Sequence, residues 1–76
     1  MPRDAKIQAQ LKKFGASVRR ERIAKGITQE RLAELADLNP KYLGEIERGE
    51  KIISIEALLR IAKAIKVPIR AFFREV

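Results

Sequence analysis

Gly26-Ile27-Thr28-Gln29-Glu30-Arg31-Leu32-Ala33-Glu34-Leu35-Ala36-Asp37-Leu38-Asn39-Pro40-Lys41-Tyr42-Leu43-Gly44-Glu45-Ile46-Glu47-Arg48-Gly49 is the stretch whose reading decides the fold. It spells two short amphipathic helices joined by a tight turn, each with its own start signal. The Thr28 hydroxyl can accept a hydrogen bond from a first-turn N–H, and Glu30 puts negative charge at the positive end of the helix dipole. Ile27 and Leu32 stand at N′ and N4, where an apolar pair staples the incoming chain to its helix. Leu32, Leu35 and Ala36 form the expected inner stripe, which ends at Asp37-Leu38. Asn39 caps the second helix, and Pro40 takes N1, where a missing N–H is no loss. Leu38 and Leu43 repeat the staple. Leu43 and Ile46 point inward, and Gly49 sits where a left-handed C′ residue is wanted.

The flanks supply the rest of a core. A first helix is expected from about 4 to 25, capped by Asp4 and stopped by Gly26, with Ile7, Leu11, Phe14 and Val18 on one face. The same stripe carried one turn further lands on Arg22. In the second short helix, Glu47 lies four residues after Leu43, also on the inward side. Two opposite charges on apolar faces are costly to bury singly, so the reading pairs Arg22 with Glu47. A fourth helix starts at a Ser54 cap, with Ile53 and Leu58 as its staple, and runs through Leu59, Ile61, Ala62 and Ile65. Val67-Pro68 closes it and opens a fifth helix carrying Ile69, Phe72, Phe73 and Val76. The expectation is one all-α domain of five helices over 1–76, with helices 4 and 5 in about 54–76 and no strand.

Composition narrows the function classes. The 76 residues hold no cysteine, so disulfides and thiolate metal sites are excluded, and no histidine is present to serve as a ligand or base. No apolar run approaches the ~20 residues of a membrane span. The net charge of +7 suits a polyanion, whose condensed counterions are released when Lys and Arg neutralise phosphates. That charge is unevenly placed. Residues 1–26 carry eight basic and two acidic side chains, residues 27–49 carry three and five, and residues 50–76 carry six and three. Positive charge therefore flanks the two short helices instead of lying on them.

The pattern Thr28-Gln29-Glu30, Leu32-Ala33, Asn39, Tyr42-Leu43 and Ile46-Glu47-Arg48-Gly49 resembles the Cro/phage-repressor helix-turn-helix family, the xenobiotic-response-element type, over roughly residues 14 to 66. The Tyr42-to-Gly49 wording is also similar to the controller proteins of restriction–modification systems. The resemblance implies a compact lambda-repressor-like fold, with residues 28–48 as the reading unit and the helix from Pro40 to Arg48 in the major groove of double-stranded DNA. On its outer face Lys41 can donate to guanine and Glu45 can accept from cytosine. Gly44 is expected to let the backbone approach base edges closely. Pro40 stands where the family often has a polar base-reading side chain, leaving apolar contact only. Gln29 matches the family's phosphate-contacting glutamine. Tyr42, Arg48 and Lys51 are further phosphate candidates, with Arg19 and the Thr28 hydroxyl behind them; Lys12-Lys13 and Arg19-Arg20 otherwise read as a solvated helix face. The Arg22–Glu47 pair is implied by the family as well.

A bundle of this size has little interior left for two consecutive phenylalanines, and the resembled family builds two-fold dimers with its fifth helix. Ile69, Phe72, Phe73 and Val76, at helical spacing, can simply finish the core; the reading preferred here, which the resemblance implies, places them at a homodimer interface. The expected protein is a bacterial or phage cytoplasmic regulator on a palindromic operator, with RNA polymerase as a further candidate partner. The other reading that the fold permits is a protein-interaction module, such as an antitoxin or anti-repressor. Enzymatic readings fail: Ser17, Ser54 and Thr28 have no base beside them, and Glu45 and Glu47 lie on different helix faces. No catalytic residue, cofactor, metal or small-molecule ligand is expected, and a membrane-surface role for the basic first helix is remote.

Overall fold

The computed structural model describes residues 3–76, so Met1 and Pro2 of the expected 1–76 domain lie outside the described residues. Four α-helices follow in order: α1 (Ala5–Ala24), α2 (Gln29–Ala36), α3 (Pro40–Glu47) and α4 (Ile55–Ile65), then a 3₁₀ turn (Ile69–Phe72). No strand occurs among the described residues.

Each helix begins at a side-chain cap. The Asp4 carboxylate accepts from the Lys6 N–H at 2.7 Å, and the Thr28 hydroxyl accepts from Arg31 N–H at 3.0 Å. Asn39 Oδ1 accepts from Lys41 N–H at 2.8 Å, and Ser54 Oγ from Ala57 N–H at 3.0 Å. These bonds satisfy donors that an α-helix leaves open at its start. The helix ends divide in two. α1 and α3 stop at glycines with positive φ, Gly26 at 72° and Gly49 at 75°. α2 and α4 stop at Asp37 and Lys66, which adopt left-handed backbone at 56° and 57° without being glycine. All the same, Leu38 N–H reaches Ala33 O at 2.8 Å and Val67 N–H reaches Ala62 O at 3.1 Å, the 6→1 closure of a Schellman end.

α2 packs on α4 and α3, α1 packs on α3 and the 3₁₀ turn, and the turn also touches α4. Val18, Leu32, Leu43, Ile46, Ile61 and Phe72 sit at the centre with essentially no exposed surface. The structure corrects three apolar assignments. Leu35 is exposed and Ala33 takes the inward place beside Leu32 and Ala36; Ile7 and Leu59 are exposed as well. On α2, residues 32, 33 and 36 share the side covered by α4, and a leucine at 35 falls past its edge.

The expected fifth helix is a single 3₁₀ turn, closed by Ala71 N–H to Pro68 O at 2.9 Å and Phe73 N–H to Arg70 O at 3.1 Å. So short a segment cannot offset the nucleation of an α-helix by itself. It is held by burial of Phe72, whose ring meets Phe14 edge-on at 6.2 Å. Arg20, expected in a solvated run, helps hold it: its Nη2 donates to Ala71 O at 3.2 Å, and it pairs with Glu75 at 3.4 Å.

Candidate DNA interface

α3 is placed by one buried carboxylate. Arg22 Nε donates to Glu47 Oε2 at 2.8 Å and Arg22 Nη2 to Oε1 at 3.1 Å, a two-pronged contact between buried partners. Arg22 Nη1 donates to Ile27 O at 2.8 Å, and Gln29 Nε2 donates to Glu47 Oε1 at 2.9 Å. Helices α1 and α2 thus meet α3 at the Glu47 carboxylate, and Arg22 ties in the loop before α2 through Ile27 O. A charge this deep is tolerated because every prong is matched, and no buried side-chain polar atom is left without a partner among the described residues.

A second seam runs along α1. A Cβ built on Gly15 would stand 2.6 Å from the Glu47 carbonyl oxygen, and Gly49 lies against the Lys12 backbone and Cγ. Gln8 Nε2 and Arg3 Nη1 donate to Gly49 O at 3.0 and 3.3 Å. Gln8, Lys12, Gly15 and Arg22 therefore form the α3-facing stripe of α1, and Arg19 shares that stripe by its spacing. Sequence reading missed Gln8, Lys12 and Gly15. Their 4- and 3-residue spacing toward Arg22, with a glycine inside, is the signal that could have found them.

On the outer side of α3, Pro40 and Lys41 are exposed and Glu45 is half-buried. Gly44 departs from expectation: it is buried, and a Cβ there would stand 3.1 Å from Arg48 Nη1 and 3.5 Å from Gln29 Oε1. The long side chain of Arg48, one turn on, leans back toward the helix start and roofs the place where Gly44 has no side chain. The bare backbone expected at Gly44 is therefore covered by two flexible polar side chains.

The other phosphate candidates are distributed unevenly. Gln29 commits one amide hydrogen to Glu47 and keeps the second. Thr28 acts as the α2 cap. Tyr42 is half-buried; its oxygen accepts from Ser54 N–H at 3.1 Å and its hydroxyl faces Ile52 O at 3.5 Å, so it ties α3 to the following loop. Arg48 Nε and Nη2 donate to Glu50 Oε2 and Oε1 at 3.0 and 3.1 Å. This hydrogen bonding raises the Arg48 pKa and lowers that of Glu50, so both stay ionised. Lys51 and Arg19 are exposed.

The expected dimer residues separate. Phe72 is completely buried, 0% exposed, and belongs to the core, because the 3₁₀ turn directs it between α1 and α4. Ile69, Phe73 and Val76 are exposed. Phe73 lies 5.2 Å from Phe14 between ring centres and borders an open apolar groove of about 300 Å³ that also includes Ile7, Leu11, Ile52 and Ile55. Ile52 and Ile55, 69% and 74% exposed, lie in and just after the α3–α4 loop, where no helical stripe marks them.

Among the described residues, no helix is long and apolar enough to cross a membrane and no side-chain cluster could hold a metal ion. A sequence model of the helix-turn-helix family matches residues 18–72. The control protein C.BamHI of Bacillus amyloliquefaciens is 40% identical over 55 residues, which is 71% of this chain and 68% of that protein. The crystal structure of the restriction-modification controller protein C.AhdI from Aeromonas hydrophila superposes with a TM-score of 0.84 at 42% identity, covering 86% of this chain and 98% of that one. The clp gene regulator ClgR from C. glutamicum superposes with a TM-score of 0.80 at 34% identity, covering 84% and 82%.

Proposed function

We propose, since this chain belongs to the helix-turn-helix family and is a DNA-binding transcriptional regulator without enzymatic activity, that it acts as a homodimer on a palindromic operator. Each subunit lays α3 in the major groove of one half-site, with the two half-sites about 34 Å apart along the duplex. The observation that carries this reading is the outer strip of α3: Lys41 and Pro40 are uncovered by the rest of the chain, with Glu45 half-covered beside them.

In this reading Lys41 donates to guanine O6 or N7 and Glu45 accepts from a cytosine amino group. Pro40 touches a thymine methyl. Gly44 contributes by seating Arg48 and not by bare backbone contact. Gln29, Thr28, Arg48, Lys51 and Arg19 supply backbone contacts around the groove, which orient the protein without reading sequence. Ile69, Phe73 and Val76, together with Ile52 and Ile55, form the face that meets the second subunit; an apolar patch of this kind marks an interface. The likeness to control proteins supports a small regulator that fills its promoter site as its own concentration rises, with RNA polymerase as the machinery it blocks or recruits.

Selection of bound sequences from random duplex DNA tests the whole of it. Two inverted half-sites one helical turn apart are expected. Recovery of unrelated sequences, or of single half-sites only, overturns the operator model.

A further inference from the structure

Arg48 is the one cation among those assigned to DNA that a carboxylate holds. Among the described residues, Arg19, Lys41 and Lys51 form no ion pair, whereas Arg48 is engaged by Glu50 at 3.0 and 3.1 Å through Nε and Nη2. We propose that Glu50 is an internal competitor for the DNA backbone: it occupies the guanidinium fork that a phosphate would take and holds DNA affinity below what the cations alone would give. The inference rests on the DNA-binding reading above and concerns how that site is regulated.

Three features of the geometry support it. A carboxylate and a phosphate use the same two parallel N–H donors of arginine, so the two ligands exclude each other on one edge of the guanidinium. Arg48 and Glu50 are both exposed, with side-chain exposures of 57% and 54%, so the exchange needs no unfolding. The position of Glu50 is also built in. Its N–H donates to Glu45 O at 2.8 Å, closing the end of α3 through Gly49, whose φ of 75° and close packing on Lys12 admit only glycine there. The turn that ends the reading helix therefore delivers the carboxylate to Arg48.

A phosphate that takes the fork must expel the carboxylate, which then stands beside the polyanion. This opposition is equal on every sequence. Glu50 thus lowers affinity and salt dependence together, without altering base preference, and raises the concentration at which sites fill.

The test uses the whole chain and its E50Q, R48A and R48A/E50Q variants, titrated by fluorescence anisotropy against a selected operator duplex and an unrelated duplex at several salt concentrations. E50Q keeps the size and polarity of the side chain, and thermal unfolding checks that each variant is folded. E50Q is expected to tighten binding to both duplexes about threefold and to steepen the salt slope by about 0.9. The gain should vanish in the R48A background. A gain that persists there means general charge repulsion and overturns the proposal. Unchanged binding by E50Q also overturns it, and weaker binding would mean that Glu50 presents Arg48 to DNA instead of withholding it. If the unmodified chain binds neither duplex, the DNA-binding reading itself falls, a distinct result.

Discussion

Gly15 of α1 faces the Glu47 carbonyl at the end of α3 so closely that an added Cβ would stand 2.6 Å from that oxygen. Alanine in a helix interior ordinarily gains about 1 kcal/mol over glycine. Here the obstacle is backbone, which cannot swing aside as a side chain can. Gly15→Ala is therefore expected to lower stability by about 1–3 kcal/mol, as overpacking does. Urea unfolding decides it by sign: a stabilised variant would mean that α1 and α3 do not approach so tightly.

The Arg22–Glu47 pair ties four segments together, so the loss of Glu47 should be felt more than that of any surface charge. Glu47→Ala leaves Arg22 buried without its partner, at an expected cost of about 3–5 kcal/mol. Removing both charges together, as Arg22→Met with Glu47→Leu, should restore most of that loss, because no uncompensated ion remains. A double variant no more stable than the single one would show that the stability comes from packing of these side chains and not from the pair.

The elements that were legible in sequence share a short reach. The caps at Asp4, Thr28, Asn39 and Ser54 and the left-handed Gly49 each involve a few neighbouring residues, so local chemistry suffices to name them. Arg22 and Glu47 were legible at long range because a charge on an apolar stripe demands a partner, and the family resemblance implies the same pair. What stayed hidden depends on where other helices lie. Leu32 starts a stripe that admits Leu35 or Ala33 equally well, and the position of α4 chooses between them. Gly15 and Lys12 acquire meaning from α3, and Gly44 from a side chain one turn on. Phe72 and Phe73, given one role by sequence, part once the last helix becomes a 3₁₀ turn that buries the first and exposes the second, and Ile52 and Ile55 sit where no periodicity applies.

Lys66 adopts left-handed backbone at the end of α4, a conformation that strains a side chain with a Cβ. Asp37 does the same at the end of α2, but an aspartate tolerates it better, and its carboxylate meets Arg60 at 3.3 Å. Lys66→Gly should relieve the strain at modest entropic cost and stabilise by about 0.5–1 kcal/mol. Thermal unfolding reads the result; a lowered midpoint would show that the lysine is comfortable there.

Base reading and backbone contact separate by variant. Lys41→Ala and Glu45→Ala should each bring operator affinity closer to that for unrelated DNA, by about 1–3 kcal/mol for a well-formed hydrogen-bond pair to a base edge. Lys51→Ala and Arg19→Ala should weaken both duplexes alike and flatten the salt slope by about one unit each. A sequence-independent loss from the first pair would remove Lys41 and Glu45 from base reading.

Phe72 and Phe73 offer the sharpest contrast for assembly, since adjacent residues of one type meet opposite surroundings. Truncating Phe72 to alanine empties the centre of the bundle and should cost about 3–5 kcal/mol. Phe73→Glu or Ile55→Lys places charge on surface that is already exposed, so the fold should survive either change. What should fail is pairing: the unmodified chain is expected to sediment as a dimer at tens of micromolar, and each charged variant as a monomer. If two-fold contact sets the spacing of two reading helices, as proposed, those monomers should also lose preference for a paired operator over a single half-site. If both charged variants sediment as the unmodified chain does, the groove bordered by Phe73 and Ile55 is not the dimer face.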